Sequence, residues 1–434
     1  MSSFHFPEKT QPPQVTALNL PPNTSCVLLK KQSISVEPKP LPILQPDGVL
    51  VKVMATDETS YLPPSARICG SDLHNYLAGG VGGRPVTEPL VMGHESAGEV
   101  IAVGDRVTTH KVGDRVAVEP GLPCRRCINC KNGRMNICTD QHYCGAPGSV
   151  GSLSRYFALP ADMAPHVPAH VSWDEAGCIQ PLAIGVQIGK RVDLRAHQTV
   201  AIFGCGPIGL IAGAVAHAYS ARRIIACDIN PSRVEFARKY ISPLTGKPIF
   251  DHVFVNTKLS DKPVKQGAPP HPQDSDPTPA GVADGEAGEV EDHEQTPGDI
   301  KWTHAQARAA EFLEQAGLAG EGGVDRVIEA SGAEDCGLIG VAIAKQGATY
   351  IAVGLGHVET SIFPMIAVTA KELDVKGITR YTASCFPNAI DMLARGVVDV
   401  KPLITKKYTL GESRDAFEAV RSGREIKVII RNQE

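Results

Sequence analysis

Short apolar runs separated by Pro and Gly dominate the N-terminal part of the chain: Cys26-Val27-Leu28-Leu29, Ile34-Ser35-Val36 and Val49 to Val53. Such runs between turn residues predict strands. The pattern continues in Ala97 to Gly104 and Val112 to Val118, so 25–119 is expected to be mostly β, a barrel-like module. Asp57 to Arg67, with Pro63 and Pro64, interrupts a strand and is expected to bulge out as a loop.

From Thr199 the period changes. Thr199 to Phe203 is a buried-strand run, Leu210 to Tyr219 an apolar helix, and Arg223 to Cys227 a second strand. A helix over Pro231 to Tyr240 and the strand Val253-Phe254-Val255 follow, and then regularity stops. Asp261 to Ile300 holds seven prolines, ten acidic residues and two lysines, with no aromatic residue. That composition predicts a disordered excursion. Order resumes with a helix near Ala305 to Ala316, strands at Val324 to Ile328, Thr349 to Val353 and Leu373 to Ile378, and a helix over Gly337 to Lys345. Alternating strand and helix predicts an α/β, doubly wound parallel sheet. Helices near Ala389 to Ala394 and Arg414 to Val420 and a strand at Ile426 to Ile430 are expected to return to the first module. The expected division is a tail at 1–24, a β-rich domain at 25–184 carrying a lobe at about 121–140, a nucleotide-binding domain at 185–380 with the insert 261–300, and the return at 381–434.

Composition narrows the function without naming it. The chain has 434 residues, 42% hydrophobic and 21% charged, as expected for a globular protein with room for two or three domains. Its net charge of -4 gives no general electrostatic reason to bind nucleic acid or an anionic membrane, and the acidic insert alone accounts for that sign. The Pro-rich start lacks the pattern of a signal peptide, and Ile202 to Ala218 is too broken by Gly and Pro to span a membrane. The expectation is a cytoplasmic protein with a small-molecule partner. Asn23-Thr24-Ser25 then reads as a chance match to a glycosylation acceptor. Twelve cysteines in so long a chain do not suggest a disulfide framework.

Cys124, Cys127, Cys130 and Cys138 are spaced C-x2-C-x2-C-x7-C, a pattern that can close a tetrahedron around zinc. Four thiolates and one zinc leave a formal charge of about -2, which Arg125, Arg126, Lys131 and Arg134 are placed to offset. A second cluster opens with Cys69-Gly70-Ser71-Asp72-Leu73-His74 and closes with Gly93-His94-Glu95. These are zinc ligand types in a set that would leave a coordination position open, although the residues alone also allow a buried thiol beside a surface His-Glu pair. Gly204-Cys205-Gly206-Pro207-Ile208-Gly209 is G-x-G-x-x-G between a strand and a helix, and Asp228 ends the second strand 19 positions after Gly209. The glycines allow a pyrophosphate to approach the helix N-terminus, and Asp228 would accept ribose hydroxyls and repel a 2′-phosphate, favouring NAD.

These motifs, with Val112-Gly113-Asp114-Arg115-Val116, Pro123 to Cys127 and Gly377-Ile378-Thr379-Arg380-Tyr381, resemble the zinc-dependent medium-chain dehydrogenases, in particular their polyol (sorbitol and xylitol) branch. The resemblance implies a chaperonin-10-like (GroES-like) barrel beside a Rossmann domain, with the active-site cleft between them and a dimeric or tetrameric assembly. It implies a catalytic zinc on Cys69, His94 and Glu95, and a structural zinc on Cys124, Cys127, Cys130 and Cys138. It assigns a proton relay to Ser71 and His74, and NAD binding to Gly204, Gly206, Pro207, Ile208, Gly209, Asp228 and Arg233. Arg380 and Tyr381 match a pair facing the polyol. The implied reaction is hydride transfer from a secondary alcohol of xylitol, sorbitol or arabinitol type to NAD, giving a ketose.

Two features depart from the branch: Gln180 stands where Glu is usual, able to orient water but not to act as a base, and Asp57 to Arg67 is additional, with Arg67 in the place of a Gly. The alternatives are a secondary-alcohol, diol or amino-alcohol dehydrogenase, and a catalytically silent NAD-binding protein.

Overall fold

The computed structural model describes residues 15, 18–59, 71–81, 84–262, 295–356 and 361–434. Cys69, the stretch 60–70 and most of the acidic insert lie outside the described residues.

Strands β1 (Asn23–Lys30) and β2 (Ser33–Lys39) form an antiparallel hairpin, and the short strand Leu90–Val91 pairs with β1 on its other side. The long strand β3 (Gly48–Thr59) is the spine of the β-rich module. Helix α1 (Ser71–Ala78) follows it, then β4 (Ser96–Val103), β5 (Arg115–Val118) and β6 (Tyr156–Pro160). One edge of β3 carries β4, which carries β5, while the other edge pairs with β6 along its first half. Val49, Val51, Val53, Val100, Val116, Val118 and Phe157 close one core of this module.

Helix α2 (Ile179–Arg191) precedes the first strand of the nucleotide-binding module. Among its elements are β7 (Thr199–Phe203), α3 (Pro207–Ala218), β8 (Arg223–Asp228), β9 (His252–Val255), α4 (Pro297–Gln315), β10 (Val324–Glu329), α5 (Glu334–Ile343), β11 (Ala344–Ala352) and β12 (Asp374–Gly377), with further helices at Pro231–Lys239 and Met365–Ala370. All six strands run parallel in the order β9-β8-β7-β10-β11-β12. That is the 3-2-1-4-5-6 order of a Rossmann sheet, in which the strand order reverses beside β7. Both faces are covered, so β7 is buried at every position and apolar from Val200 on.

The chain closes with α6 (Cys385–Ala394), β13 (Ile404–Thr409), α7 (Ser413–Arg421) and β14 (Lys427–Arg431). β14 pairs with the second half of β3, from Lys427 opposite Thr59 to Arg431 opposite Ala55.

Two expectations are corrected. Asp57 to Thr59 is strand, because β14 supplies the hydrogen-bonding edge that prolongs β3. The acidic stretch does not remain irregular to Ile300: α4 begins at Pro297, with Thr296 accepting from the Asp299 amide and Asp299 accepting from the Thr296 amide. This reciprocal cap, with Pro in the first turn, satisfies otherwise orphaned N–H groups.

Candidate active site and metal centres

Helix α1 fixes one side of the first cluster. Leu73 and Tyr76 are buried, and Tyr76 Oη donates to Glu418 Oε1 on α7 at 2.6 Å. This packing leaves Asp72, itself buried, beside the loop before β4: its Oδ2 accepts from the Gly93 amide at 3.2 Å and lies 2.8 Å from His94 Nδ1. A carboxylate on Nδ1 orients the ring and leaves Nε2 as the metal-binding nitrogen. His94 Nε2 lies 3.7 Å from Glu95 Oε1, and tetrahedral zinc with bonds of about 2.1 Å separates its ligands by roughly 3.4 Å. The pair therefore fits one zinc ion. Burial, the largest influence, disfavours a charged His94, but the charge and hydrogen bond of Asp72, helped by Glu95, outweigh it and raise the imidazole pKa.

The other oxygen of Glu95, Oε2, accepts from Lys427 Nζ at 3.3 Å. Lys427 is fully buried at the start of β14 and also forms an ion pair with Asp57, which is 1% exposed. Burial opposes the ammonium, and the two carboxylates more than compensate, raising its pKa. Burial raises the Asp57 carboxyl pKa while Lys427 pulls it back.

A polar wall flanks His94. The Tyr143 ring lies 5.7 Å from the His94 ring, Tyr143 Oη accepts from Gln180 Nε2 at 2.8 Å, and the Arg380 guanidinium sits 4.5 Å above the Tyr143 ring. Arg380 also donates to Gln141 Oε1. Tyr381 is buried against Phe386, and its hydroxyl has no hydrogen-bond partner among the described residues. A buried hydroxyl in that condition suits a polar ligand. Gln180, on the buried face of α2, and Arg380 are thus brought to Tyr143, whose ring neighbours that of His94. Ser71 is the first residue of α1, and His74 lies one turn further along it.

The four-cysteine lobe is assembled as its spacing requires. All four sulfurs lie within 4.8 Å of one another, and Cys127 Sγ is 3.8 Å from Cys138 Sγ. Zn–S bonds of about 2.3 Å place tetrahedral sulfurs roughly 3.8 Å apart, so the lobe fits zinc. Amides of Cys127, Cys124 and Asp140 donate to Cys124, Cys138 and Cys138 sulfurs. Backbone donation from Cys130 and Thr139 pulls the Cys127 thiol down to about 6, while burial pushes Cys130 up to about 12. Arg125 and Arg126 do not serve the cluster alone, since they pair with Asp162 and Asp140.

In the nucleotide-binding module, Gly204 has φ +101°, and a Cβ on Gly209 would lie 1.8 Å from the Gly204 carbonyl oxygen. Only glycine fits this cradle at the start of α3. Asp228 closes β8: its Oδ2 accepts from the Cys205 amide and its Oδ1 from the Asn230 amide, both at 2.8 Å. The carboxylate keeps further lone pairs for ribose hydroxyls, and Arg233 Nη1 lies 3.9 Å from it.

Asp57, Asp72, Tyr143 and Lys427 were not among the sequence candidates. Asp72 stands inside the C-G-S-D run. Lys427, a lone charge in the apolar run Ile426 to Ile430, carried a signal, because a lysine on a buried strand needs a partner.

Such a barrel joined to a Rossmann sheet, with a four-cysteine lobe that fits zinc and a buried His94-Glu95 pair, defines a zinc- and nicotinamide-dependent oxidoreductase. Residues 45–170 match the family described as alcohol dehydrogenase GroES-like domain, and residues 300–395 match zinc-binding dehydrogenase. A probable D-xylulose reductase A of Aspergillus clavatus is 35% identical over 96% of this chain and 98% of its own length; that of Aspergillus terreus is 36% identical over 94% and 98%. The fold is similar to those of L-idonate 5-dehydrogenase from Escherichia coli (TM-score 0.71, 23% identity, 94% of this chain and 98% of that one) and 2R,3R-butanediol dehydrogenase from Bacillus subtilis (TM-score 0.70, 24% identity, 94% and 99%). The chain belongs to the zinc-dependent medium-chain dehydrogenases, the family of the D-xylulose reductases.

Proposed function

We propose that this dehydrogenase oxidises a secondary alcohol of a polyol, of xylitol, sorbitol or arabinitol type, to the ketose, using NAD. The observation that carries the reading is Tyr143 beside His94 with Gln180 and Arg380 gathered on it, next to the unpartnered buried hydroxyl of Tyr381. Side chains that donate and accept at several points suit a substrate with many hydroxyls. Similarity to D-xylulose reductases over nearly the whole chain supports the same class.

Cys69, His94 and Glu95 would hold the catalytic zinc, and Cys124, Cys127, Cys130 and Cys138 the structural one. Bound zinc would supply Lewis acidity that lowers the pKa of the substrate hydroxyl, while the nicotinamide accepts the hydride. The chain's own work is positioning. Asp72 orients His94, Ser71 and His74 carry the alcohol proton outward, and Arg380 with Tyr381 aligns the remaining hydroxyls. Gln180 holds Tyr143 and could orient water. Gly204, Gly206, Pro207, Ile208 and Gly209 receive the pyrophosphate, and Asp228 with Arg233 receives the adenosine ribose; the Asp228 charge favours NAD over its 2′-phosphorylated form.

The domain limits 25–184, 185–380 and 381–434 complete this reading. So does a homo-oligomer, since Met365, Ile366 and Val375 expose apolar surface on and near the edge strand β12. A cytoplasmic setting suits the free thiols of all the described cysteines. No helix among the described residues is long and apolar enough to cross a membrane. The test is NADH formation by zinc-loaded protein with polyols, 2,3-diols and threonine. Turnover of polyols is expected, and turnover of only the other two classes refutes the proposal.

A further inference from the structure

Glu329 ends β10, opposite Phe203 of β7, and is 4% exposed. Its carboxyl oxygens meet the donors of the turn that follows the strand. Oε1 accepts from the Ser331 amide at 2.7 Å, from the Gly332 amide at 2.9 Å and from the Ser331 hydroxyl, and Oε2 lies 3.1 Å from the Gly332 amide. A carboxylate offers acceptors alone, which suits such a set of donors. The backbone carbonyl of Glu329 accepts from the Val353 and Gly354 amides, at 2.8 and 2.9 Å, where β11 ends. The turn so held lies between two other loops. A Cβ built on Gly204 would stand 3.1 Å from the Ser331 amide nitrogen, and one on Gly354 would stand 2.0 Å from that of Gly332, so backbone meets backbone on both sides.

We infer that Glu329 is a positioning residue for the nicotinamide half of the cofactor: it sets the Ser331-Gly332 turn between the loop at Gly204 and the loop after β11. This rests on the reading of the second module as the NAD site. In a sheet of this order a dinucleotide lies across the C-terminal edge, on both sides of the point where the strand order reverses. Asp228 ends β8, on one side of β7, and marks the adenosine half. The turns after β10 and β11 lie on the other side and fall to the nicotinamide half. Ser331 is exposed and Gly332 half-buried, so without the acceptors of Glu329 their donors would turn to water. The turn would then lose its anchor to β10, and with it the spacing between the two loops it separates. Asp228, on β8, does not depend on that anchor.

The test measures, on the full chain, the Kd for NADH, which spans both halves, and for AMP, which fills the adenosine half alone. Glu329→Leu, which has no acceptor, is expected to weaken NADH about tenfold and to leave AMP within about twofold of wild type. Glu329→Gln keeps one acceptor oxygen for the Ser331 amide, the Ser331 hydroxyl and the Gly332 amide, and is expected to bind NADH within about threefold of wild type. Wild-type NADH affinity in Glu329→Leu, equal weakening of NADH and AMP, or a Glu329→Gln variant as weak as Glu329→Leu overturns the inference. If Glu329→Leu does not fold, Ser331→Ala decides. It removes the hydroxyl donor and should weaken NADH about threefold with AMP unchanged, and an unchanged NADH affinity there is equally fatal. Wild-type protein that binds neither NADH nor AMP refutes the reading of the module and the inference with it, whereas NADH binding that Glu329→Leu leaves intact refutes the role of Glu329 alone.

Discussion

Gly209→Ala should separate cofactor binding from metal binding. The added Cβ would sit 1.8 Å from the Gly204 carbonyl oxygen, whereas a carbon-oxygen contact needs about 3.3 Å, so the loop and α3 must part by roughly 1.5 Å. Gly204 has little room to retreat, since a Cβ built on it already lies 3.1 Å from the Ser331 amide and 3.2 Å from the Ala330 carbonyl carbon. The shift therefore falls on the loop proposed to receive the pyrophosphate. Overpacking of this kind costs about 1–3 kcal/mol, and at about 1.4 kcal/mol per decade the Kd for NADH should rise roughly 10- to 100-fold. Titration of NADH fluorescence measures it, with zinc content unchanged as a control for intact metal sites. A Kd within about twofold of wild type would show that this loop does not hold the cofactor.

Two further variants probe other contacts. Asp72→Asn keeps the shape but turns a charge-assisted bond to His94 into a neutral one, a difference of about 1–1.5 kcal/mol, so catalytic zinc should bind about tenfold more weakly; unchanged affinity in a chelator competition would refute the orienting role. Burial, assisted by the charge of Asp162, pushes the Glu119 carboxyl up to about 7 from its ordinary value of 4.5. Its contribution to stability is therefore fully present below about pH 4.5 and is lost as pH rises through about 7. Glu119→Gln should melt above the wild type at pH 8, with the gain absent near pH 4.5; a gain independent of pH would refute the shift.

The legible parts of this molecule were those whose determinants are local. Strand, glycine loop, helix, strand and acid lie within Thr199 to Asp228, and C-x2-C-x2-C-x7-C lies on one loop, so both could be read from spacing. The start of α4 was legible too. Thr296-Pro297-Gly298-Asp299 carries a capping box and a first-turn Pro, but the acidic, Pro-rich composition around it pointed the other way. The strand at Asp57 was not legible, because its edge partner β14 comes from the far end of the chain. Strand formation there depends on pairing rather than on propensity. Gln180 could be placed by analogy, but its bond to Tyr143 joins positions 37 apart and exists only once α2 has packed against the lobe.

That lobe also connects the two modules beside Tyr143. Asn136, on the turn between Cys130 and Cys138, donates its side-chain amide to the Thr379 carbonyl at 2.9 Å, and Gln141 accepts from Arg380. Thr379 and Arg380 directly follow the last Rossmann strand, and Arg380 adopts φ +51°, a backbone conformation disfavoured for a residue with a side chain. The hydrogen bond from Asn136 to Thr379 and the one that Arg380 donates to Gln141 brace this conformation from both sides. On this geometry, the four-cysteine site is more than a local staple. A metal held by Cys130 and Cys138 would fix Asn136 between them, and through Asn136 the position of Thr379, the neighbour of Arg380.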